Sequence, residues 1–262
     1  MAVLGLVVLG VFGLIIGSFL NVVIWRVPRG ESIVSPPSHC PGCDRPISPV
    51  DNIPLVSWLI LRGHCRHCKT SISARYPAVE LLTGVLFVGF GARFGLHVDL
   101  AAFEYLAAVG VALAAIDLDH KRLPDVLTLP SYLVGAGLLA LAAGLGSGGG
   151  GHDYVRALLG MVALGGFYGI VWFIYPAGMG LGDVKLSGVL GLYLGWLGWG
   201  QLVVGAFTAF LVGAVVSVSV VMIRGGDRKT QVPFGPFMLI GVLIGIYAGH
   251  PLAHAYTHSL NH

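Results

Sequence analysis

The chain has 262 residues, 56% of them hydrophobic and only 10% charged, with a formal net charge of +3. A soluble domain carries about 25% charged residues, so a water-surrounded globular protein is excluded. So small a net charge gives no footprint for nucleic acid. Forty glycines suit the class that remains, a polytopic membrane protein, because small residues let spanning helices approach closely.

A spanning helix needs roughly 20 apolar residues. Eight stretches approach that measure: 2–25, 77–94, 100–116, 126–145, 155–176, 184–199, 201–223 and 234–250. The first lacks a basic leader region and a small-residue cleavage site, so it reads as a retained helix. The sixth is short and glycine-rich. Its boundary with the seventh, Gly195-Trp196-Leu197-Gly198-Trp199-Gly200, is a tight turn, which leaves seven spans as the alternative. The expected fold is therefore all-α and polytopic, with about eight transmembrane helices and a polar loop between the first two.

Basic residues set orientation, because Lys and Arg are retained on the cytoplasmic side. With 26–76 inside and the sides alternating, the inside holds Arg26, Arg29, Arg45, Arg62, Arg66, Lys69, Arg75, Lys121, Arg122, Lys185, Arg224, Arg228 and Lys229. The outside holds only Arg93 and Arg156. Both termini are then external, as are the flexible glycine linker at 146–151 and a tail bearing His250, His254, His258 and His262. That tail has no carboxylate or cysteine neighbour in sequence and reads as solvated. The expected organisation is a first helix at 1–25, a cytoplasmic loop at 26–76, a membrane domain at 77–250 and an external tail at 251–262.

All four cysteines lie in the first loop, as Cys40-Pro41-Gly42-Cys43 and Cys65-Arg66-His67-Cys68. Two C-x-x-C pairs about twenty residues apart match a tetrathiolate zinc knuckle. Gly42 suits the tight turn within the first pair. The cytosol keeps thiols reduced, so topology and metal reading agree. A closed four-sulfur site leaves no position for water, so such a zinc is structural. It supplies folding energy to a loop with little apolar sequence beyond Ile53–Leu61. That apolar stretch is either a short helix on the membrane surface or a small core against the metal.

Two polar islands interrupt the membrane domain: residues 116–125, with Asp117, Asp119 and Asp125, and residues 178–185, with Asp183 and Lys185. Ionisable groups set against long apolar segments tend to be functional. If the third helix runs on through its island, Asp117 and Asp119 point about 200° apart, so only one faces a given partner. Asp125 follows Pro124 and suits a helix cap. Asp183 follows Gly178, Gly180 and Gly182, where the backbone can bend, and it stands near a helix start that favours a carboxylate. Lys185 is expected to snorkel toward lipid headgroups. An aspartyl protease needs two carboxylates sharing one proton, within reach of water, and Asp117 with Asp183 at one membrane edge would meet that need.

In order along the chain, Gly17-Ser18-Phe19-Leu20-Asn21-Val22-Val23-Ile24, the paired C-x-x-C loop, Arg75-Tyr76-Pro77-Ala78-Val79-Glu80-Leu81-Leu82, the Asp117 segment through Thr128-Leu129-Pro130, the Gly-x-Gly-Asp-x-Lys box and Pro233-Phe234-Gly235-Pro236 resemble the bacterial type IV prepilin peptidases. The resemblance implies a catalytic pair at Asp117 and Asp183. It implies removal of the basic leader of type IV prepilins or type II secretion pseudopilins at the cytoplasmic face of the bacterial inner membrane. It also implies N-methylation of the new terminus with S-adenosylmethionine, an activity associated with the cysteine loop. Cys40, Cys43, Cys65 and Cys68 would hold zinc, and prepilin helices and membrane lipids would be the partners. Glu80, Asp44 and Asp51 are candidates to attract the leader's basic charges, with Glu80 pairing to Arg75 as the alternative.

Rival readings make distinct demands. Presenilin-like proteases share Gly-x-Gly-Asp, but they expect a Tyr-Asp partner and a Pro-Ala-Leu motif where this chain has Ile116-Asp117 and Pro-Phe-Gly-Pro. A transporter would place carboxylates at the midplane and show an internal repeat. A non-catalytic, zinc-stabilised scaffold would tolerate loss of Asp183.

Overall fold

The computed structural model describes residues 3–146, 148–176, 178–224 and 232–260. Arg228 and Lys229 of the topology argument, Ser147 of the glycine linker and His262 of the tail lie outside them. The described residues form helices α1 (Val3–Arg26), α2 (Val56–Ile60), α3 (Arg75–Phe94), α4 (Asp99–His120), α5 (Asp125–Gly144), α6 (Gly151–Ile174), α7 (Leu181–Leu197), α8 (Trp199–Arg224) and α9 (Gly235–Leu260), without a strand among them. Seven of the helices are long and apolar enough to cross a membrane. The chain divides into two compact units, Met1–Leu96 with Glu104–Ala112, and His97–Phe103 with Leu113–His262.

In the first unit α1 and α3 pack as an antiparallel pair. Gly17 sits so close to Glu80 that a Cβ there would lie 2.6 Å from the Glu80 Cα, while Gly13 meets Gly84 and Phe87. Small residues at these crossings let the backbones touch, which is how helices associate where lipid removes the hydrophobic drive. The Asn21 side-chain amide donates to the Tyr76 carbonyl at 3.1 Å and ties the polar end of the pair.

The loop between α1 and α3 is latched to this pair by Glu80. This residue is 8% exposed, and its carboxylate accepts the Leu55 backbone N–H at 2.8 Å. Leu55 is the residue from which α2 starts and has a positive φ of 60°. Holding a non-glycine residue there costs free energy, which a charged hydrogen bond offsets. Ser57 is buried and Trp58 donates its indole N–H to the Ile72 carbonyl at 3.1 Å. Leu59 and Ile60 point outward instead of forming a core against the cysteines.

The second unit is organised around α7. Every residue from Leu186 to Trp196 is buried, and α5, α6, α8 and α9 all pack on it. At 17 residues it is about 25 Å long, shorter than the seven helices of spanning length. The short, glycine-rich sixth stretch is thus a separate helix, divided from α8 by Gly198 at φ 146°. Its glycines serve close packing: a Cβ at Gly160 would lie 2.6 Å from the Gly191 carbonyl and 2.9 Å from the Gly195 Cα.

Arg156, expected only as an external charge, donates to the carbonyls of Gly195 at 2.7 Å and Trp196 at 2.5 Å. It thereby satisfies acceptors that the α7 C-terminus leaves open. Asp153 pairs with Arg156 at 3.0 Å and accepts the Gly149 N–H at 2.6 Å, so the described part of the glycine linker is pinned at this turn. The last helix runs past the expected limit at residue 250, through Pro251 to Leu260.

Candidate active site and metal centre

The α4 helix continues through the first polar island to His120 and stops where Lys121 turns left-handed at φ 52°. On this continuous helix Asp117 points inward, 4% exposed, while Asp119 lies on the exposed side. Pro124 then takes an extended conformation and starts α5 at Asp125, because a proline fixes φ and suits the first turn of a helix.

Asp117 meets the start of α9. The N–H of Gly235 donates to Asp117 Oδ2 at 3.0 Å in a buried contact. The first N–H groups of a helix have no partner inside it, and Pro236, next in line, has none to offer. Gly235 therefore presents an amide that Asp117 satisfies, and a helix N-terminus favours the carboxylate's charge. The block Pro233-Phe234-Gly235-Pro236 is visible in sequence, but its contact with Asp117 is not. A glycine followed by a proline at a helix start is a signal that could have suggested an unpaired amide there.

Asp183 is the third residue of α7 and reaches back to accept the Gly180 N–H at 3.2 Å, one half of a capping box. Gly180 is extended, at φ −78° and ψ 146°, so no left-handed bend is needed at this position. Gly182 instead permits close approach: a Cβ there would lie 3.1 Å from the Leu123 Cβ. Leu123, 8% exposed, also sits against Gly235, where an added Cβ would lie 3.2 Å from its Cδ2. One buried leucine thus wedges between the Asp183 box and the Asp117 amide donor.

Beside Asp183 is a cleft of about 310 Å³, lined by Tyr175, Met179, Phe210, Ser217 and Phe234 among others. Phe210 and Phe234 of this lining belong to an aromatic cluster with Tyr168 and Phe237, whose ring centroids are 5.2 to 6.3 Å apart. Lys185 has a partner in the protein. Its ammonium pairs with Asp125 at 2.7 Å, because the first residue of α5 lies beside α7, where the backbone carbonyl of Lys185 accepts the Tyr132 hydroxyl at 2.5 Å.

In the first unit the four thiols converge. Cys40, Cys43, Cys65 and Cys68 place their Sγ atoms within 4.8 Å of one another, and Cys40 and Cys68 are 3.6 Å apart. Tetrahedral zinc with Zn–S of about 2.3 Å sets its sulfurs about 3.8 Å apart, so the set fits that ion.

The two halves repeat one turn. The Cys40 N–H donates to the Arg45 carbonyl and the Cys65 N–H to the Thr70 carbonyl, both at 2.9 Å. The residue after each second cysteine, Asp44 at φ 57° and Lys69 at φ 61°, is left-handed. Gly42 is not, and its lack of a side chain makes room for Thr70, into which a Cβ would run. The hydroxyl of Thr70 beside Cys68 draws that thiol down to about 6, and the backbone N–H groups of Cys68 and His67 lower that of Cys65. Donors that favour thiolate also favour metal binding.

Of the acidic residues considered for a basic leader, Glu80 is consumed by Leu55. Asp51 is held by Arg66 through a two-oxygen contact of 2.6 to 3.0 Å, which keeps its carboxyl below the usual range. Asp44 remains open to solvent, 3.6 Å from His39.

A helical protein with seven helices of membrane-spanning length and a tetrathiolate cluster has the form of a membrane leader peptidase, and comparison with known proteins places the chain in the type IV leader peptidase family. Residues 105–218 match the family model described as "Type IV leader peptidase family", and residues 11–94 match "Bacterial Peptidase A24 N-terminal domain". A prepilin leader peptidase/N-methyltransferase of Aeromonas hydrophila is 38% identical over 94% of this chain and 91% of its own length. One from Pseudomonas aeruginosa is 34% identical over 93% and 90%, and one from Myxococcus xanthus is 41% identical over 84% and 64%. No solved structure matches the chain.

Proposed function

We propose that this chain is an aspartyl prepilin leader peptidase in which Asp117 and Asp183 form the catalytic pair. The observation that carries the reading is the joining, within one compact unit, of two carboxylates 66 positions apart, through Leu123, Gly182 and Gly235. On this reading the two carboxylates approach closely enough in the working enzyme that both cannot easily ionise, and they hold one proton between them. The charged one takes a proton from the water that attacks the scissile carbonyl, while the protonated one donates to the carbonyl oxygen. As the C–N bond breaks, the proton taken from water passes to the leaving amine and the other aspartate recovers its proton from the tetrahedral intermediate. The Gly235 N–H holds Asp117 in place, and the α7 N-terminus holds Asp183. The aromatic cleft beside Asp183 is where an apolar substrate segment enters from the bilayer. The substrates are type IV prepilins or type II secretion pseudopilins, and cleavage takes place at the cytoplasmic face of the inner membrane. Relatives named as leader peptidase and N-methyltransferase support both activities, and the distribution of basic residues along the chain supports the orientation.

Cys40, Cys43, Cys65 and Cys68 would hold zinc, whose role is to fix the loop. For S-adenosylmethionine the chain has no glycine-rich nucleotide loop of the common kind, so the donor's residues are unassigned and no step is routed through it. The test is leader removal from a purified prepilin, read as a mass loss, by Asp117→Asn and Asp183→Asn proteins that retain their zinc. Each is expected to lose about 10⁴-fold in rate. Normal cleavage by either would reject the pair.

A further inference from the structure

The end of α9 away from Gly235 carries a pattern that the peptidase reading does not use. His250, His254 and His258 recur every four residues, and His262 continues the period in sequence. Residues four apart on a helix share a face. Here the rings of His250 and His254 are 6.3 Å apart and 21° from parallel, and those of His254 and His258 are 6.4 Å apart and 28° from parallel. All three side chains are exposed.

The helix is 26 residues long, about 39 Å, against a hydrocarbon core of about 30 Å. Upright in such a core with Gly235 at one edge, the helix would extend its last turns beyond the lipid. The sequence changes there from Ile244, Ile246 and Tyr247 to histidine, threonine and serine. Thr257 and Ser259 return their hydroxyls to helix carbonyls at 2.7 to 3.2 Å, so the turns that present the rings stay wound.

We propose that this stripe is a binding site for a divalent transition-metal ion of the imidazole-preferring group, such as Ni²⁺, Cu²⁺ or Zn²⁺, held between successive histidines with His254 as the shared ligand. Imidazole suits these ions. Two ring nitrogens at about 2.0–2.1 Å from one ion are about 3 Å apart. Facing rings on adjacent turns reach that separation by rotation of exposed side chains, without a change in the helix. His250 and His258 stand two turns apart, about 12 Å along the axis, so neither can replace His254 in chelating with the other. The site is separate from the thiolate cluster, which matches zinc with sulfur, and from Asp117, which meets the opposite end of the same helix.

The experiment uses the full chain in detergent, without a histidine tag and with its thiolate cluster loaded with zinc. Ni²⁺ is titrated by calorimetry, and hydrogen exchange of residues 250–260 is followed with and without the ion. The wild-type chain is expected to bind Ni²⁺ and to gain protection across 250–260. His254→Asn should bind at least about tenfold more weakly, the loss of one chelating arm, and show no added protection, while leader removal is unchanged. His152→Asn, a control on α6, should behave as wild type. Equal binding by His254→Asn, or Ni²⁺ binding that leaves 250–260 unprotected, would overturn the assignment. Either result would leave the reading of Asp117 and Asp183 untouched.

Discussion

Replacing Gly235 by alanine tests whether Asp117 is held by the start of α9. The added Cβ would lie 2.8 Å from Asp117 Oδ2 and 3.2 Å from Leu123 Cδ2, where real Cβ contacts are essentially never below 3.0 Å. Asp117 is 4% exposed and on a short side chain, so it cannot swing away into solvent. Either the 3.0 Å bond from the Gly235 N–H lengthens or Leu123 shifts against Gly182. A hydrogen bond to a charged group is worth about 1.5–3 kcal/mol, which corresponds to about 10- to 150-fold in rate at 1.4 kcal/mol per decade. A displacement of about 1 Å in a catalytic group gives about 10²-fold by a separate route.

The expected result is a fall of about 10- to 100-fold in kcat/KM for leader removal, chiefly in kcat, with the zinc content unchanged and helicity by circular dichroism retained. Wild-type kcat in a folded Gly235→Ala protein would refute the idea that this amide positions Asp117. Loss of helicity would move the effect to folding, and Gly235→Ser, with a side chain of similar bulk, would then be expected to fail in the same way.

Other consequences concern stability. Cys65→Ser should remove the bound metal, measured as about one zinc per chain in wild type, and expose the loop between α1 and α3 to protease, because zinc binding supplies roughly 10–16 kcal/mol in small knuckles. Metal retained at full stoichiometry would count against the four-thiolate site. Glu80→Ala should leave the Leu55 N–H unpaired and cost about 1–3 kcal/mol, seen as faster proteolysis near Leu55 with metal still bound. Gly191→Ala forces a Cβ against the Gly160 carbonyl and Leu164 and should cost about 1–3 kcal/mol by overpacking, read as a lower Tm of the α6–α7 unit. An unchanged Tm would mean that the two helices separate more easily than their contact implies.

Helix number, order and approximate ends were legible because each depends on local composition. A run of apolar residues must satisfy its backbone hydrogen bonds internally in lipid, so α1, α3 to α6, α8 and α9 could be read from length and hydropathy. The metal set was legible for a similar reason: two C-x-x-C turns carry their own geometry, and only their meeting had to be supplied by the fold. What local pattern misjudged were groups whose partners lie far along the chain. Lys185 pairs with Asp125, Glu80 is buried under Leu55 instead of facing a substrate, and Gly42, inside its turn, also clears space for Thr70. The end of α9 was set too early at residue 250, since Pro251 lies within a wound helix.

Sequence by itself therefore determined the membrane class, the helix count to within one, the thiolate cluster and the two aspartates as candidates. The wedge of Leu123 between Gly182 and Gly235, the amide aimed at Asp117 and the aligned imidazoles on α9 were decided only by tertiary structure. The physical reason is range: hydropathy and turn preference act over a few neighbouring residues. A hydrogen bond from residue 235 to residue 117 exists only once the helices between them have packed.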